Sequence, residues 1–363
     1  MNIAMNDASD LLIDCQAVWK IFGARSKAAV TAVKEKGLTK KQVLTDFNCV
    51  VGVSDASIQV RRGEIFCIMG LSGSGKSTLI RLLNRLIEPS LGKIIVKGKD
   101  ISALNSAQLR DIRARHIGMV FQSVALLPNR TVLDNAAFGL EVRGVPREQR
   151  YATARAALDK VGLSDWTARY PSELSGGMQQ RVGLARAIAA DPEIILMDEP
   201  FSALDPLIRR QLQDEFRQLT KSLGKSAVFI THDLEEAIRI GDRIAIMKDG
   251  VIVQVGNAEE IVTKPADDYV AEFVAGISRL HLVKAHTVMT PVSEYIRNPN
   301  HRDVNGLLRT TPEADISALI DLTMQSENDA VAVVEDGKVV GIVTTRGLLR
   351  GVAGTPVAST AAA

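Results

Sequence analysis

The chain has 363 residues, which is enough for two domains. Hydrophobic residues make up 46% of it and charged residues 24%, as in an ordinary soluble globular protein, and a net charge of +2 gives no electrostatic footprint for nucleic acid. No apolar stretch approaches the ~20 residues that span a bilayer, and the N-terminus lacks the pattern of a secretory signal. The widely spaced Cys15, Cys49 and Cys67 predict neither a zinc site nor a disulfide framework, which fits a reducing compartment.

The first predicted element is a strand over residues 11–18, where apolar and polar residues alternate. Lysines are scattered among Ala, Val and Leu over residues 24–48, and this pattern predicts a basic amphipathic helical insert. From residue 50 to about 250, short apolar strands alternate with helices, which is typical of a parallel α/β domain. We place the end of this domain at residue 276.

A glycine-rich segment, Gly-Leu-Ser-Gly-Ser-Gly-Lys-Ser-Thr, lies within this domain and fits the phosphate-binding loop pattern. Residues 65–69 before it predict a buried parallel strand, and residues 79–83 after it predict a helix. The loop would therefore present backbone N–H groups and a helix N-terminus to a polyphosphate. Lys76 would reach the β- and γ-phosphates, and the Ser77 hydroxyl would bind Mg²⁺. The predicted loop residues are Gly70, Leu71, Ser72, Gly73, Ser74, Gly75, Lys76, Ser77 and Thr78.

An acidic pair follows a second apolar strand. Residues 194–197 are apolar, and Asp198 and Glu199 come directly after them. Asp198 is predicted to bind the Mg²⁺ shell and Glu199 to polarise an attacking water. The alternative is an ordinary strand with two solvated carboxylates at its tip. The phosphate loop in the same chain favours the catalytic interpretation.

Four further motifs accompany the loop and the acidic pair. They are Leu174-Ser175-Gly176-Gly177-Met178-Gln179-Gln180-Arg181, Gln122 after Val120-Phe121, Ser202-Ala-Leu-Asp205, and Thr231-His232-Asp233. In this order across residues 70–233, the set resembles the ATP-binding cassette proteins. The resemblance implies an α/β fold, a P-loop NTPase cassette with a RecA-like core plus a helical subdomain.

The resemblance also implies roles for these residues. Residues 175–177 would open a helix that binds the γ-phosphate of an ATP held by a second subunit, so that a homodimer sandwiches ATP. His232 would touch the γ-phosphate and hold the attacking water with Glu199. Gln122 would sense Mg²⁺ and water, and Asp205 would act across the dimer.

An aromatic residue near the N-terminus completes the predicted site. Phe22 matches the aromatic residue that stacks on adenine in the family. The insert makes the distance from Phe22 to Gly70 longer than in most cassettes. The alternative is that Phe22 is a core residue.

Flanking segments resemble the ATPases of glycine betaine/proline betaine importers over residues 11–276. They are Arg81-Leu-Leu-Asn-Arg-Leu-Ile-Glu-Pro89, Met119-Val-Phe-Gln-Ser123, Thr131-Val-Leu-Asp-Asn135, Ser202-Ala-Leu-Asp-Pro-Leu-Ile208 and Ile240-Gly-Asp-Arg-Ile-Ala-Ile-Met247. The resemblance implies an ATP-hydrolysing subunit of an importer for quaternary ammonium osmoprotectants: glycine betaine, proline betaine or choline. It would work as a dimer on transmembrane permease subunits at the cytoplasmic face of the inner membrane, and indirectly with a substrate-binding protein. It implies no nucleic acid partner.

Two alternatives to this function stay open. The ATPase does not touch the solute, so the chain could serve an importer of histidine or another small solute. A different class is a stand-alone regulatory ATP-binding module without a transporter partner.

A second domain is predicted over residues 282–363. It contains a helix over 316–324 and two strands, 330–334 and 339–343, joined by an Asp-Gly hairpin turn. The small, uncharged residues from Ala353 onward predict a mobile tail.

This second domain resembles a cystathionine-β-synthase (CBS) regulatory module, through Val288-Met-Thr-Pro291 and residues 330–350. Only one repeat, about 306–352, is complete, and residues 282–305 are too short for another, so pairing between two subunits is expected. Gly347 stands where adenosine-binding modules often carry Asp for the ribose, although Thr344 is present. We therefore expect regulation by ionic strength or a cyclic dinucleotide, the alternative being no regulatory role.

Overall fold

The structure of the protein, a computed structural model, describes residues 10–122, 124–202, 204–297, 303–326 and 328–354. Contacts divide the chain into two compact units, Met1–Val255 and Gly256–Ala363. The domain limits predicted from the sequence, 1–276 and 282–363, stay a prediction. The predicted mobile tail lies outside the described residues from 355 onward, while Ala353 belongs to the last helix.

The elements of the first unit follow one another in the order β1 (Leu11–Phe22), α1 (Ser26–Lys36), α2 (Lys40–Phe47), β2 (Val50–Arg61), β3 (Ile65–Met69), α3 (Lys76–Leu83), β4 (Leu91–Val96), β5 (Lys99–Asp100), α4 (Ser106–His116), β6 (Ile117–Val120), α5 (Val132–Val142), α6 (Arg147–Lys160), α7 (Gly176–Ala189), β7 (Ile194–Asp198), α8 (Pro206–Ser222), β8 (Ser226–Thr231), α9 (Leu234–Ile240), β9 (Arg243–Lys248) and β10 (Val251–Gly256).

A six-stranded sheet in the order β10-β9-β3-β8-β7-β6 forms the centre of this unit. The pairs β9–β3, β3–β8, β8–β7 and β7–β6 are parallel. Every residue of β3, β7 and β8 is buried, because parallel strands in such a sheet are covered on both faces. The predicted parallel α/β organisation is confirmed here. Since the carboxyl ends of parallel strands share one edge, this edge carries the phosphate loop, Asp198 and Glu199, and His232.

A second sheet, in the order β2-β1-β4-β5, is antiparallel. The prediction of parallel strands from residue 50 onward is therefore wrong for β2, which pairs with β1 along its length, and for β4 and β5. Buried and exposed residues alternate over much of β2, which is the pattern of a strand with one covered face. The strand predicted over 11–18 also continues to Phe22.

The main hydrophobic core lies between the two sheets and includes α3. Ile58 of β2, Phe66 of β3 and Leu79 of α3 are among its buried members. All three cysteines of the chain are buried as free thiols. The core fixes the position of α3, and with it the end of the phosphate loop.

The predicted basic helical insert consists of two helices, α1 and α2. Gly37 ends α1 in a left-handed conformation, and Thr39 and Gln42 form a capping box that starts α2. Buried residues of both helices, among them Val30 and Val43, pack in a small separate cluster with the end of β1.

Helices α5, α6 and α7 pack against one another as the helical subdomain. The amide of the fully buried Asn135 stabilises the approach to α5: its Nδ2 donates to the carbonyl oxygens of Leu127, Arg130 and Thr131, and its Oδ1 accepts from the Leu127 N–H.

The second unit contains α10 (Ala258–Thr263), α11 (Asp268–Val274), α12 (Ala285–Val288), β11 (Thr290–Pro291), α13 (Val292–Tyr295), β12 (Leu308–Thr310), α14 (Ile316–Gln325), β13 (Ala330–Glu335), β14 (Lys338–Thr344) and α15 (Thr345–Ala353). Its sheet has the order β11-β14-β13-β12. The predicted hairpin is confirmed: β13 and β14 are antiparallel, and Asp336 and Gly337 between them both have positive φ, 49° and 77°.

Residues before this sheet also belong to the second unit. The carboxylate of Glu259 in α10 accepts from the Lys284 N–H at 2.9 Å and from the Thr287 hydroxyl at 2.5 Å. Arg279 donates to the carbonyl of Val262 at 3.1 Å. Helix α10 is thus hydrogen-bonded to the start of the predicted regulatory domain.

Candidate functional site

The predicted phosphate loop connects β3 to α3, as expected. A Cβ on Gly70 would lie 2.1 Å from the Met247 carbonyl oxygen, and one on Gly75 would lie 2.3 Å from the Gly52 carbonyl oxygen. The loop is therefore wound too tightly against its neighbours for any side chain at these positions. Leu71, Ser72 and Gly73 form its exposed outer turn, and Thr78 lies in α3.

Two polar groups of the loop face inward. The Ser74 hydroxyl is buried and, within the described parts of the chain, has no hydrogen-bond partner. The Lys76 ammonium is 4% exposed and donates to the carbonyls of Gly70 at 2.7 Å and Leu71 at 3.1 Å. Burial lowers the pKa of Lys76, and the carboxylates of Glu199 and Asp198 oppose this shift. A buried cation and an unpaired hydroxyl beside backbone N–H groups fit an anionic phosphate chain.

Asp198, at the end of β7, is 2% exposed. Its Oδ1 accepts from the Ser77 hydroxyl at 3.0 Å, and its Oδ2 accepts from Arg81 at 3.2 Å. Hydroxyl and carboxylate oxygens suit Mg²⁺, which is usually held by one or two carboxylates together with substrate phosphates. The pair of Ser77 and Asp198 therefore fits this ion. Arg81 was not predicted as a site residue, although its position one helical turn after Ser77 in α3 places it on the same side.

Glu199 meets both other predicted catalytic residues. His232 Nδ1 lies 3.2 Å from Oε2 of Glu199, and Lys76 Nζ lies 3.9 Å from its Oε1. These three residues come from the ends of β7 and β8 and from the start of α3. A carboxylate next to an imidazole can accept a proton from a water and orient it.

Gln122 reaches this group through an intermediate residue. Its Nε2 donates to the Ser202 hydroxyl at 3.4 Å, and that hydroxyl donates to the Glu199 carbonyl at 3.0 Å. Ser202 was part of a recognised motif but was not predicted as a site residue.

A buried glutamate in α9, Glu236, was not predicted either. Glu236 is 8% exposed, and its carboxylate accepts from the hydroxyl of Thr231 and, at 2.7 Å, from Gln213. Burial raises the pKa of Glu236. The sequence signal was weak, because a glutamate in the first turn of α9 is equally typical of a solvated helix start.

A second group of predicted residues lies at the starts of α7 and α8. Ser175 is the N-cap of α7, and its hydroxyl accepts from the Met178 N–H at 3.3 Å. Asp205 is the N-cap of α8. Both line one pocket with Gly176 and Gly177. The structure therefore separates the predicted site residues of one chain into two groups, one at Lys76 and one at Ser175.

Phe22 lies at the end of β1 and is 40% exposed, which does not fit the alternative that it is a core residue. Lys20 Nζ lies 5.0 Å from the centre of its ring. The ring edge lies beside Gly52, where a Cβ would come within 2.8 Å of Phe22 Cε2. An exposed aromatic face close to the loop is available for stacking.

In the second unit, the Thr344 hydroxyl accepts from the Gly347 N–H at 3.2 Å and caps α15. A Cβ at position 347 would lie 3.0 Å from the Val288 carbonyl oxygen. The missing aspartate at this position thus coincides with a place where the backbone leaves little room for a side chain.

Comparisons with known proteins agree with this geometry. Residues 53–202 match the family model for the ABC transporter, and residues 305–354 match that for the CBS domain. A dimeric ATP-binding cassette in a post-hydrolysis state bound to ADP and Pi is a structural neighbour, with a TM-score of 0.57 and 29% identity, over 68% of this chain and 98% of that chain.

The names of curated relatives indicate which kind of ABC transporter this chain resembles. The glycine betaine/proline betaine transport system ATP-binding protein ProV of Escherichia coli (strain K12) is 47% identical over 92% of this chain and 80% of its own length. The glycine betaine transport ATP-binding protein OpuAA of Bacillus subtilis (strain 168) is 51% identical over 78% of this chain and 68% of its own length. The choline transport ATP-binding protein OpuBA of the same strain is 40% identical over 79% of this chain and 69% of its own length.

The chain therefore belongs to the ABC transporter family, and its fold is the P-loop NTPase cassette followed by a CBS domain. Within that family it groups with the ATP-binding subunits of quaternary amine importers. Among the described residues, none of the helices is both long and apolar enough to cross a membrane.

Proposed function

We propose that this protein hydrolyses ATP to drive uptake of a quaternary ammonium osmoprotectant. The observation that carries the proposal is the meeting of Lys76, Asp198, Glu199 and His232 at the carboxyl edge of the parallel sheet, next to the phosphate loop. The relatives' names, which include glycine betaine and choline, support the solute class.

In this proposal, the loop amides and Lys76 bind the phosphates of ATP. Ser77, Asp198 and Gln122 would hold Mg²⁺, which supplies positive charge that stabilises the transferring phosphoryl group. Glu199 accepts a proton from the attacking water, and His232 holds the orientation of that water and of the carboxylate. Lys76 stabilises negative charge on the phosphate oxygens as the bond breaks.

We further propose that two copies of the chain share each ATP. Phe22 of one copy stacks on adenine, while residues 175–177 and Asp205 of the other copy reach the γ-phosphate. The separation of the site residues into two groups within one chain supports this arrangement. Ser175, Gly176, Gly177 and Asp205 line one pocket, and the phosphate-loop residues are not among the described residues that line it. The dimer would act on transmembrane permease subunits at the cytoplasmic face of the membrane, with a substrate-binding protein as an indirect partner.

The variant Glu199→Gln tests the catalytic role. It removes proton acceptance but keeps the size of the side chain, so we expect it to bind ATP, trap a dimer and lose turnover. ATP binding, molecular mass in solution and ATP hydrolysis would be measured on the purified full chain. Hydrolysis at the wild-type rate would show that Glu199 is not the base.

Uptake experiments test the solute. Cells lacking this gene would be complemented with wild type or Glu199→Gln, and uptake of labelled glycine betaine, choline and histidine would be measured at low and high osmolarity. We expect betaine or choline uptake with wild type alone, increasing with osmolarity. Restored histidine uptake would overturn the solute assignment, and no uptake of any of the three would count against this proposal.

A further inference from the structure

One strip of α7 holds the backbone of the segment that carries Gln122. Gln180 Nε2 donates to the Gln122 carbonyl at 3.3 Å. Six residues later, Arg186 donates through Nη2 to the Val124 carbonyl at 2.9 Å and through Nη1 to the Ala125 carbonyl at 2.8 Å. Between them is Gly183, where a Cβ would lie 2.9 Å from Val124 Cγ1.

The guanidinium of Arg186 has an unusual environment. Within the described parts of the chain it forms no ion pair, and it donates to these two carbonyls. Burial lowers the pKa of Arg186. A planar fork with two N–H donors can fix two successive carbonyls, which one lysine ammonium cannot do with the same geometry. Ala125 is in a left-handed conformation with φ of 47°, so the segment turns sharply where Arg186 holds it.

These contacts connect the two groups of site residues. The Gln122 side chain reaches Glu199 through Ser202, whereas α7 begins at Ser175. Helix α7 therefore has Ser175 at its start and contacts the segment that carries Gln122 farther along its length.

We propose that Arg186 is a positioning residue for ATP hydrolysis: together with Gly183, it fixes Val124 and Ala125 so that the Gln122 side chain stays aligned with Glu199. This inference rests on the proposed hydrolysis of ATP. Arg186 does not touch the reacting atoms in this view. Its loss should lower turnover while leaving the groups that bind ATP in place.

The test compares Arg186→Met, Arg186→Lys and the matched control Arg143→Met. Arg143 also donates to a carbonyl, that of Ala190 at 2.8 Å, but this carbonyl belongs to the C-cap of α7 and not to the segment that carries Gln122. We expect kcat to fall about 10-fold or more for Arg186→Met, since small misplacements of aligned groups are costly, while KM for ATP changes less than about 2-fold. Arg186→Lys should recover part of the loss, and the control should keep wild-type kcat.

A second pair of variants covers the case in which Arg186→Met fails to fold. Gly183→Ala should push Val124 and lower kcat, and adding Val124→Ala should restore it by removing the crowded methyl group. Without nucleotide, hydrogen exchange of the amides of Gln122, Val124 and Ala125 should be faster in Arg186→Met than in Arg143→Met.

Three results would overturn the inference: wild-type kcat in a folded Arg186→Met protein, equal losses in Arg186→Met and Arg143→Met, or no rescue by Val124→Ala. A wild-type protein that binds ATP but never hydrolyses it would instead overturn the proposed function, and the inference with it.

Discussion

Glu199 has a left-handed backbone, with φ of 43°, a conformation that costs a non-glycine residue about 1–2 kcal/mol. Its N–H donates to the Ile230 carbonyl at 3.2 Å, and its carboxylate meets His232. The packed ends of β7 and β8 therefore hold this residue in a strained state, which is typical of functional sites. The sequence could predict that Glu199 follows a buried strand, but not this conformation, because it depends on the neighbouring strand.

Two of the three glycines of the phosphate loop, Gly73 and Gly75, differ in a testable way. Gly75 and Gly73 both have positive φ, 107° and 78°, but an added Cβ meets the Gly52 carbonyl only at position 75 and has open space at position 73. We expect Gly75→Ala to weaken ATP binding far more than Gly73→Ala, which suffers backbone strain without a clash. Titration with ATP would measure both dissociation constants. Equal losses of ATP affinity would mean that backbone strain, and not the clash at position 75, weakens the binding.

Glu193 predicts a pH dependence of stability. Hydrogen bonds from Lys97 above all, and from Arg62 and His116, lower the pKa of Glu193 from its usual 4.5 to about 2. Because the pKa of Glu193 is lower in the folded protein than in the unfolded chain, its carboxylate stabilises the folded protein above pH 4.5. This stabilisation is lost as the pH falls toward 2 and the carboxylate becomes protonated. Glu193 is partly exposed, so we expect a loss of only about 1 kcal/mol.

Urea unfolding at pH 7 and pH 3 would measure this loss in wild type and in Glu193→Gln. The variant should lose less stability on acidification than the wild type. If both proteins lose the same stability between pH 7 and pH 3, other carboxylates cause the pH dependence.

At the scale of secondary-structure elements, the start of α7 shows how a short sequence pattern predicts part of the candidate site. Ser175 satisfies the amide of Met178 as an N-cap, while Gly176 and Gly177 leave the first turn uncovered. The sequence predicted this helix start correctly. It did not predict β2 as an antiparallel strand, since pairing with β1 is a contact between distant segments and alternation alone does not specify a partner.

Ser175→Arg tests the shared site. The long cation at the start of α7 would block access to a γ-phosphate from the opposite copy and would add positive charge at a helix N-terminus. Mixed dimers would pair this variant with a Lys76→Ala chain. We expect one of the two sites to carry both defects and the other to stay intact, leaving roughly half of wild-type hydrolysis if the sites act independently. Two damaged sites would mean that each chain completes its own site.

For the whole molecule, the sequence predicted the parallel sheet, the phosphate loop and the Asp-Gly hairpin, because each has a local pattern. The boundary between the two units is not marked by a local sequence pattern of this kind. Contacts assign α10 and α11 to the second unit, since Glu259 and Val262 bond to residues beyond position 278. The sequence limit at residue 276 rested on a break in composition.

Truncations decide between these divisions. A chain ending at Val255 should resist protease as well as the first unit of the full chain does. A chain ending at Gly276 should be cut rapidly within residues 257–276, because Glu259 loses Lys284 and Thr287 as hydrogen-bond donors and the Val262 carbonyl loses Arg279. Limited proteolysis with mass spectrometry would locate the cuts. Protection of 257–276 in the longer truncation would instead support the limit at 276.

The burial of every cysteine has a practical consequence for spectroscopy. Burial raises the pKa of the Cys15 and Cys67 thiols, so little thiolate is available to a maleimide in the native state. The unaltered chain can therefore serve as the background for single reporter cysteines, for example at Met324, which is 81% exposed. Any slow labelling of the native thiols would then report the rate at which the core opens.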